Sequence, residues 1–124
     1  MTASLPFDQP HDESIAECVR LSSLDTLGRE VARRCAQAAD MAEAAKERAR
    51  TSDDLVEIAA AAELAQESSM WCGRLASAVT AILGEGDVVE VKRCWALVRE
   101  AGTHAALAAT RWRLMKRAKG GAVV

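Results

Sequence analysis

Residues 87–118, DVVEVKRCWALVREAGTHAALAATRWRLMKRA, decide how the chain is read. Val88, Val91, Trp95, Val98, Gly102, Ala105, Ala109 and Trp112 recur at alternating spacings of three and four, a coiled-coil-like period that places all eight on one stripe of an α-helix. Cys94, Ala101, Ala108 and Met115 form a second row beside it and widen the apolar face beyond a two-helix seam. A helix of this kind needs at least two partner surfaces, and the rest of the chain supplies two more amphipathic stretches.

Working upstream, Gly84-Glu85-Gly86-Asp87 offers a glycine stop and an aspartate N-cap. The helix before it is expected over about 54–83. Leu55, Ile58, Ala62, Ala65, Ser69, Cys72, Ala76, Val79 and Leu83 form its main stripe, with Leu64, Trp71, Leu75, Ala78 and Ile82 alongside. Thr51-Ser52-Asp53-Asp54 then reads as a tight helix-to-helix turn. The first helix is expected over about 13–50, with Leu24, Gly28, Val31, Cys35, Ala38, Ala42, Ala45 and Ala49 in its seam. Small side chains in that seam let helix axes approach towards the short end of the usual ~8 to 10 Å. Ser22-Ser23 is a place where this helix could break, Asp25 and Thr26 then opening a new one. Residues 1–12 carry both prolines and no helical period and read as an irregular arm, while 119–124 read as a frayed tail.

The expected fold is therefore all-α: an up-down-up three-helix bundle with long alanine-rich helices, and a fourth short N-terminal helix if the chain breaks at Ser22-Ser23. Short loops force antiparallel neighbours. Reflecting the first helix onto the second through the turn near residue 52 places Cys35 close to Cys72 without a bond between them, Cys94 near the Trp71 to Ala78 level, and Cys18 towards the far end.

Composition supports a single domain. Half of the 124 residues are apolar, but 26 are alanine and only four are aromatic, so close helix approach must do more than bulky side chains. A net charge of −2 gives no global reason to seek nucleic acid or anionic lipid. No apolar run reaches the ~18 to 20 residues of a membrane span, and Asp8, Asp12, Glu13 and Glu17 precede any Lys or Arg, opposite in sign to a secretion signal. A cytoplasmic protein with free, buried thiols is expected.

The residues limit the chemistry the chain can carry. A di-iron centre would need paired Glu-x-x-His motifs, and none is present. Cuprous copper could draw on Cys35, Cys72, Cys94, Met41, Met70 and Met115, but cysteines paired one turn apart are missing. His104 follows Glu100 by four residues and is expected to form an exposed pair with it, away from Cys94, so no cysteine-histidine couple arises. Neither an enzyme nor a cofactor is expected. Trp71-Cys72-Gly73 matches the tripeptide of the small secreted helical hairpins called WXG proteins, which carry it in a turn between two helices. Here the apolar period passes through it unbroken, no tyrosine is available for that family's export signal, and the match covers three residues.

The one strongly charged stretch is Arg111, Arg113, Lys116, Arg117 and Lys119, interleaved with Trp112 and free of acids. It could grip phosphates or an anionic membrane surface, with Trp112 stacking on a base. Its structural reading is cations placed at a helix C-terminus with Asp53 and Asp54 as partners. Folding the path sorts the charges by end, with Lys46, Arg48 and Arg50 joining the basic run at one pole and Glu85, Asp87 and Glu90 joining the N-terminal acids at the other. Val56, Val89, Leu97, Leu107 and Leu114 fall outside the main stripes and exceed what one such core covers. The expected role is a protein-protein interaction or self-association module, a homodimer in its simplest form. Nucleic-acid binding through the basic end comes second, and metal binding third.

Overall fold

The computed structural model describes the backbone of residues 5–123 and the side chains of residues 15–120. Among the described residues it holds three α-helices, α1 (Leu5–Thr51), α2 (Leu55–Leu83) and α3 (Val88–Val123), each packed against both others, and no strand. Their 47, 29 and 36 residues correspond to about 70, 44 and 54 Å at ~1.5 Å per residue. No helix among the described residues is long and apolar enough to cross a membrane.

α1 starts earlier than the prolines suggest and does not break at Ser22-Ser23. Pro6 falls among the first four residues, whose N–H groups have no intrahelical partner, and Pro10 gives up a single backbone bond. Near the serines, the Thr26 hydroxyl donates to the Ser22 carbonyl at 3.0 Å, and the Glu17–Arg20 and Asp25–Arg29 pairs brace the turns on either side. The fourth short helix is therefore absent among the described residues. At the other end of the chain α3 continues to Val123, through Gly120, where the sequence reading has a frayed tail.

Both junctions follow the capping chemistry. The Asp54 carboxylate accepts from Val56 N at 3.1 Å, and the Ser52 hydroxyl accepts from Asp54 N at 3.1 Å. Asp87 caps α3 by accepting from Glu90 N at 3.1 Å. Gly84 ends α2 in the right-handed region (φ −50°, ψ −35°) with its N–H on the Thr80 carbonyl, and a Cβ there would run into that same oxygen. The glycine is needed for space rather than for a left-handed backbone.

The core is built from small side chains. Cys35, Ala42, Ala45 and Ala49 of α1, Ile58, Ala65, Cys72, Ala76 and Val79 of α2, and Cys94, Ala101 and Ala108 of α3 are all essentially inaccessible. Gly28 meets Leu83 so closely that a Cβ would overlap the leucine side chain. The seams expected for α1 and α2 agree with this burial to within one position. In α3 the buried positions are Cys94, Ala101 and Ala108 of the second expected row together with Ala105 of the first, while Val88 and Trp95 are exposed and Val91, Val98 and Trp112 are half-buried beside them. The smaller residues take the centre of the contact, and Val91, Val98 and Trp112 pack against its edge. Trp95 instead spans the flank and donates its indole N–H to the Thr80 hydroxyl at 2.8 Å.

Candidate functional site

Three places carry chemistry beyond packing. The first is a cleft of about 370 Å³ between α1 and α2, lined by Met41 from the former and Leu64, Ser68, Met70 and Trp71 from the latter, with Glu67 and Arg74. Helical spacing explains it: Met41 lies off the α1 seam, and Met70 and Trp71 lie off the α2 seam, so packing the two seams brings their flanking rows face to face. Met41, Met70 and Trp71 are 51, 52 and 54% exposed. Trp71, expected beside the core stripe, thus stands at the surface, and the Trp71-Cys72-Gly73 tripeptide sits inside α2 rather than in a turn. Ser68 is buried behind the cleft, and its hydroxyl meets no hydrogen-bond partner among the described residues. The lining is apolar with one charge of each sign, which suits contact with another apolar surface and supplies no acid-base pair.

The second place is the centre, where three thiols converge. Cys35 Sγ lies 3.6 Å from Cys72 Sγ and 3.9 Å from the Cys94 carbonyl, and the Cys72 thiol faces the Cys35 carbonyl at 3.5 Å. All three are free, as is the exposed Cys18. Burial pushes the Cys35, Cys72 and Cys94 thiols up from their ordinary value, and the Cys35 contact partly offsets this for the other two. They are held as neutral thiols, the unreactive form. No group of three or more His, Cys, Asp or Glu among the described residues is arranged to hold a metal ion.

The third place is the basic end. Arg111 donates from Nε to the Ala49 carbonyl at 3.2 Å and from Nη2 to the Ser52 carbonyl at 3.0 Å, with Asp53 Oδ1 at 3.9 Å, and Lys119 Nζ donates to the Asp53 carbonyl at 2.7 Å. Two of the five cations therefore satisfy carbonyls at the end of α1 and in the turn after it. Arg113 donates to the Thr110 hydroxyl at 3.2 Å, and Lys116 sits 4.8 Å over the Trp112 ring. Arg113, Leu114, Lys116 and Arg117 remain exposed.

His104 departs from expectation. It is half-buried with Nε2 3.8 Å from Glu43 of α1, not paired with Glu100, and its Nδ1 is buried without a hydrogen-bond partner. The side of α3 that carries it faces α1, which the period of one helix alone cannot reveal. Of the apolar residues set outside the stripes, Val56, Val89, Leu107 and Leu114 are exposed, and Leu97 packs partly buried against the core.

Comparison with protein-family models, with curated proteins and with solved structures finds no match to this chain.

Proposed function

We propose that the chain is a non-enzymatic, cytoplasmic helical module that binds another protein or a second copy of itself, a homodimer being the simplest assembly. Its helices run up, down and up. This order is supported by α1–α2 contacts that pair Gly28 with Leu83 and Cys35 with Cys72, and by α1–α3 contacts that pair Arg29 with Asp87 and Ala49 with Arg111.

The observation that carries the reading is the Met41–Met70–Trp71 cleft. Large apolar side chains left half-exposed in one place, while alanines fill the core, mark a surface that gains by being covered. Methionine adapts to varied partners, and tryptophan is enriched among residues that dominate binding energy. The test compares the full chain with a Met70→Ser/Trp71→Ser variant in affinity capture from its native cells, with the helical spectrum of both verified. A specific protein held by the former and lost by the latter supports the reading; identical capture contradicts it.

Nucleic-acid binding through Arg113, Lys116 and Arg117 is the second reading, favoured by their exposure. It is weakened by the commitment of Arg111 and Lys119 to main-chain carbonyls. A gel shift at low salt that disappears on neutralising those three residues would support it.

A further inference from the structure

We propose that the groove where α1 leaves the α2–α3 turn receives the basic end of α3 from a second copy, so that copies associate head to tail. This rests on the self-association reading above and names its surface.

The groove, of about 600 Å³, has Leu21, Leu24, Ile82 and Leu83 in its lining together with the carboxylates of Asp25 and Glu85. Upstream, every residue from 15 to 23 is exposed, including Ile15, Val19 and Leu21. The stripe that α1 buries from Gly28 onward thus continues through Leu24 and Leu21 after its own chain has run out of helix to cover it. Asp87 and Glu90 stand at the same end. Arg20 pairs with Glu17, Arg29 bridges Asp25 and Asp87, and Arg93 reaches Glu90. The groove and the cap beside it are apolar and carry three carboxylates, Asp25, Glu85 and Asp87, against one guanidinium, Arg29.

The occupant it fits is apolar and basic, and the other end of this molecule is both. Residues 111–119 carry five cations and no acid, and exposed Leu114 lies among exposed Arg113, Lys116 and Arg117. Within one chain the two cannot meet: the groove lies at the Leu83 end of α2 and the basic run at the Ser52 turn, about 44 Å away along α2. Pairing like ends of two copies would set acids against acids or cations against cations, whereas head-to-tail pairing sets opposite signs together.

Sedimentation velocity of the full chain tests this. The wild type should exceed the 13.3 kDa monomer, and its apparent dissociation constant should rise about tenfold or more between roughly 50 and 500 mM salt. Two charge-reversed variants, Arg113→Glu/Lys116→Glu/Arg117→Glu and Glu17→Lys/Asp25→Lys/Glu85→Lys, should each sediment as monomers while keeping their helical spectrum. An equimolar mixture should associate again, because the unaltered groove of the first variant still meets the unaltered basic end of the second and the two reversed ends also complement each other. Failure of the mixture to associate overturns the proposal, as does an oligomer indifferent to both reversals, though the latter leaves self-association through another face intact. A wild type that stays monomeric at every salt concentration overturns head-to-tail pairing and self-association together, leaving a different protein as the occupant of the Met41–Trp71 cleft.

Discussion

At the level of Cys35 the three helices touch through sulfur and methyl groups, and Cys72, Ala76 and Ala42 around it are fully buried. A short step sideways, Met41, Met70 and Trp71 are half in water. Most proteins put their largest apolar residues inside. This one fills its interior mostly with alanine and cysteine around Ile58, Val79 and Leu83, and leaves Met41, Met70, Trp71 and Trp95 on the flanks. Stability and contact surface are thereby separated onto different rows of the same helices. The same row can be read as core or as flank only by knowing how near the neighbouring axis lies.

That separation is tested by substitutions on each side of it. The largest effect is expected from Ile58→Ala, the largest fully buried side chain. It should cost about 2 to 5 kcal/mol in denaturant unfolding, because its neighbours are mostly alanines with little reach to fill the void. Gly28→Ala comes next, at about 1 to 3 kcal/mol, since the new methyl overlaps Leu83 and the helices must part. Asp54→Ala removes the carboxylate that accepts from Val56 N and should cost about 1 kcal/mol. The smallest effect belongs to the other side: Trp71→Ser should cost no more than about 1 kcal/mol, despite deleting the bulkiest residue type in the chain. If Trp71→Ser instead costs as much as Ile58→Ala, size and burial are not separated as described.

Much of this was legible in the residues. The two junctions were, because Asp54 and Asp87 cap by local hydrogen bonds that the sequence alone specifies. So was the nearness of Cys35 to Cys72, which follows from the turn position and the rise per residue. The central row of α3 was not. Its two neighbouring rows have the same period, and only the fold shows that Cys94, Ala101 and Ala108 of the second are buried while Trp95 of the first stands at the surface. The candidate site divides in the same way. Arg111 meets Asp53, as the charges at that end suggest, yet its main partners are carbonyls that only the fold presents. The Met41–Met70–Trp71 cleft was illegible because its halves lie some thirty residues apart in sequence, and the row that Leu64 and Trp71 share on α2 does not say which residues of α1 stand opposite it.

The thiols measure the closed centre directly. With their pKa raised by burial, Cys35, Cys72 and Cys94 favour the fold while neutral. Their contribution is intact below the ordinary thiol value of 9.0 and is lost as the pH climbs beyond it. At about pH 7.5, where a free thiol already reacts, a chromogenic disulfide reagent should find one fast thiol per chain, the exposed Cys18, and three that react only as the protein unfolds. Peptide mapping that shows Cys35, Cys72 or Cys94 labelled as fast as Cys18 would contradict a core closed by small side chains.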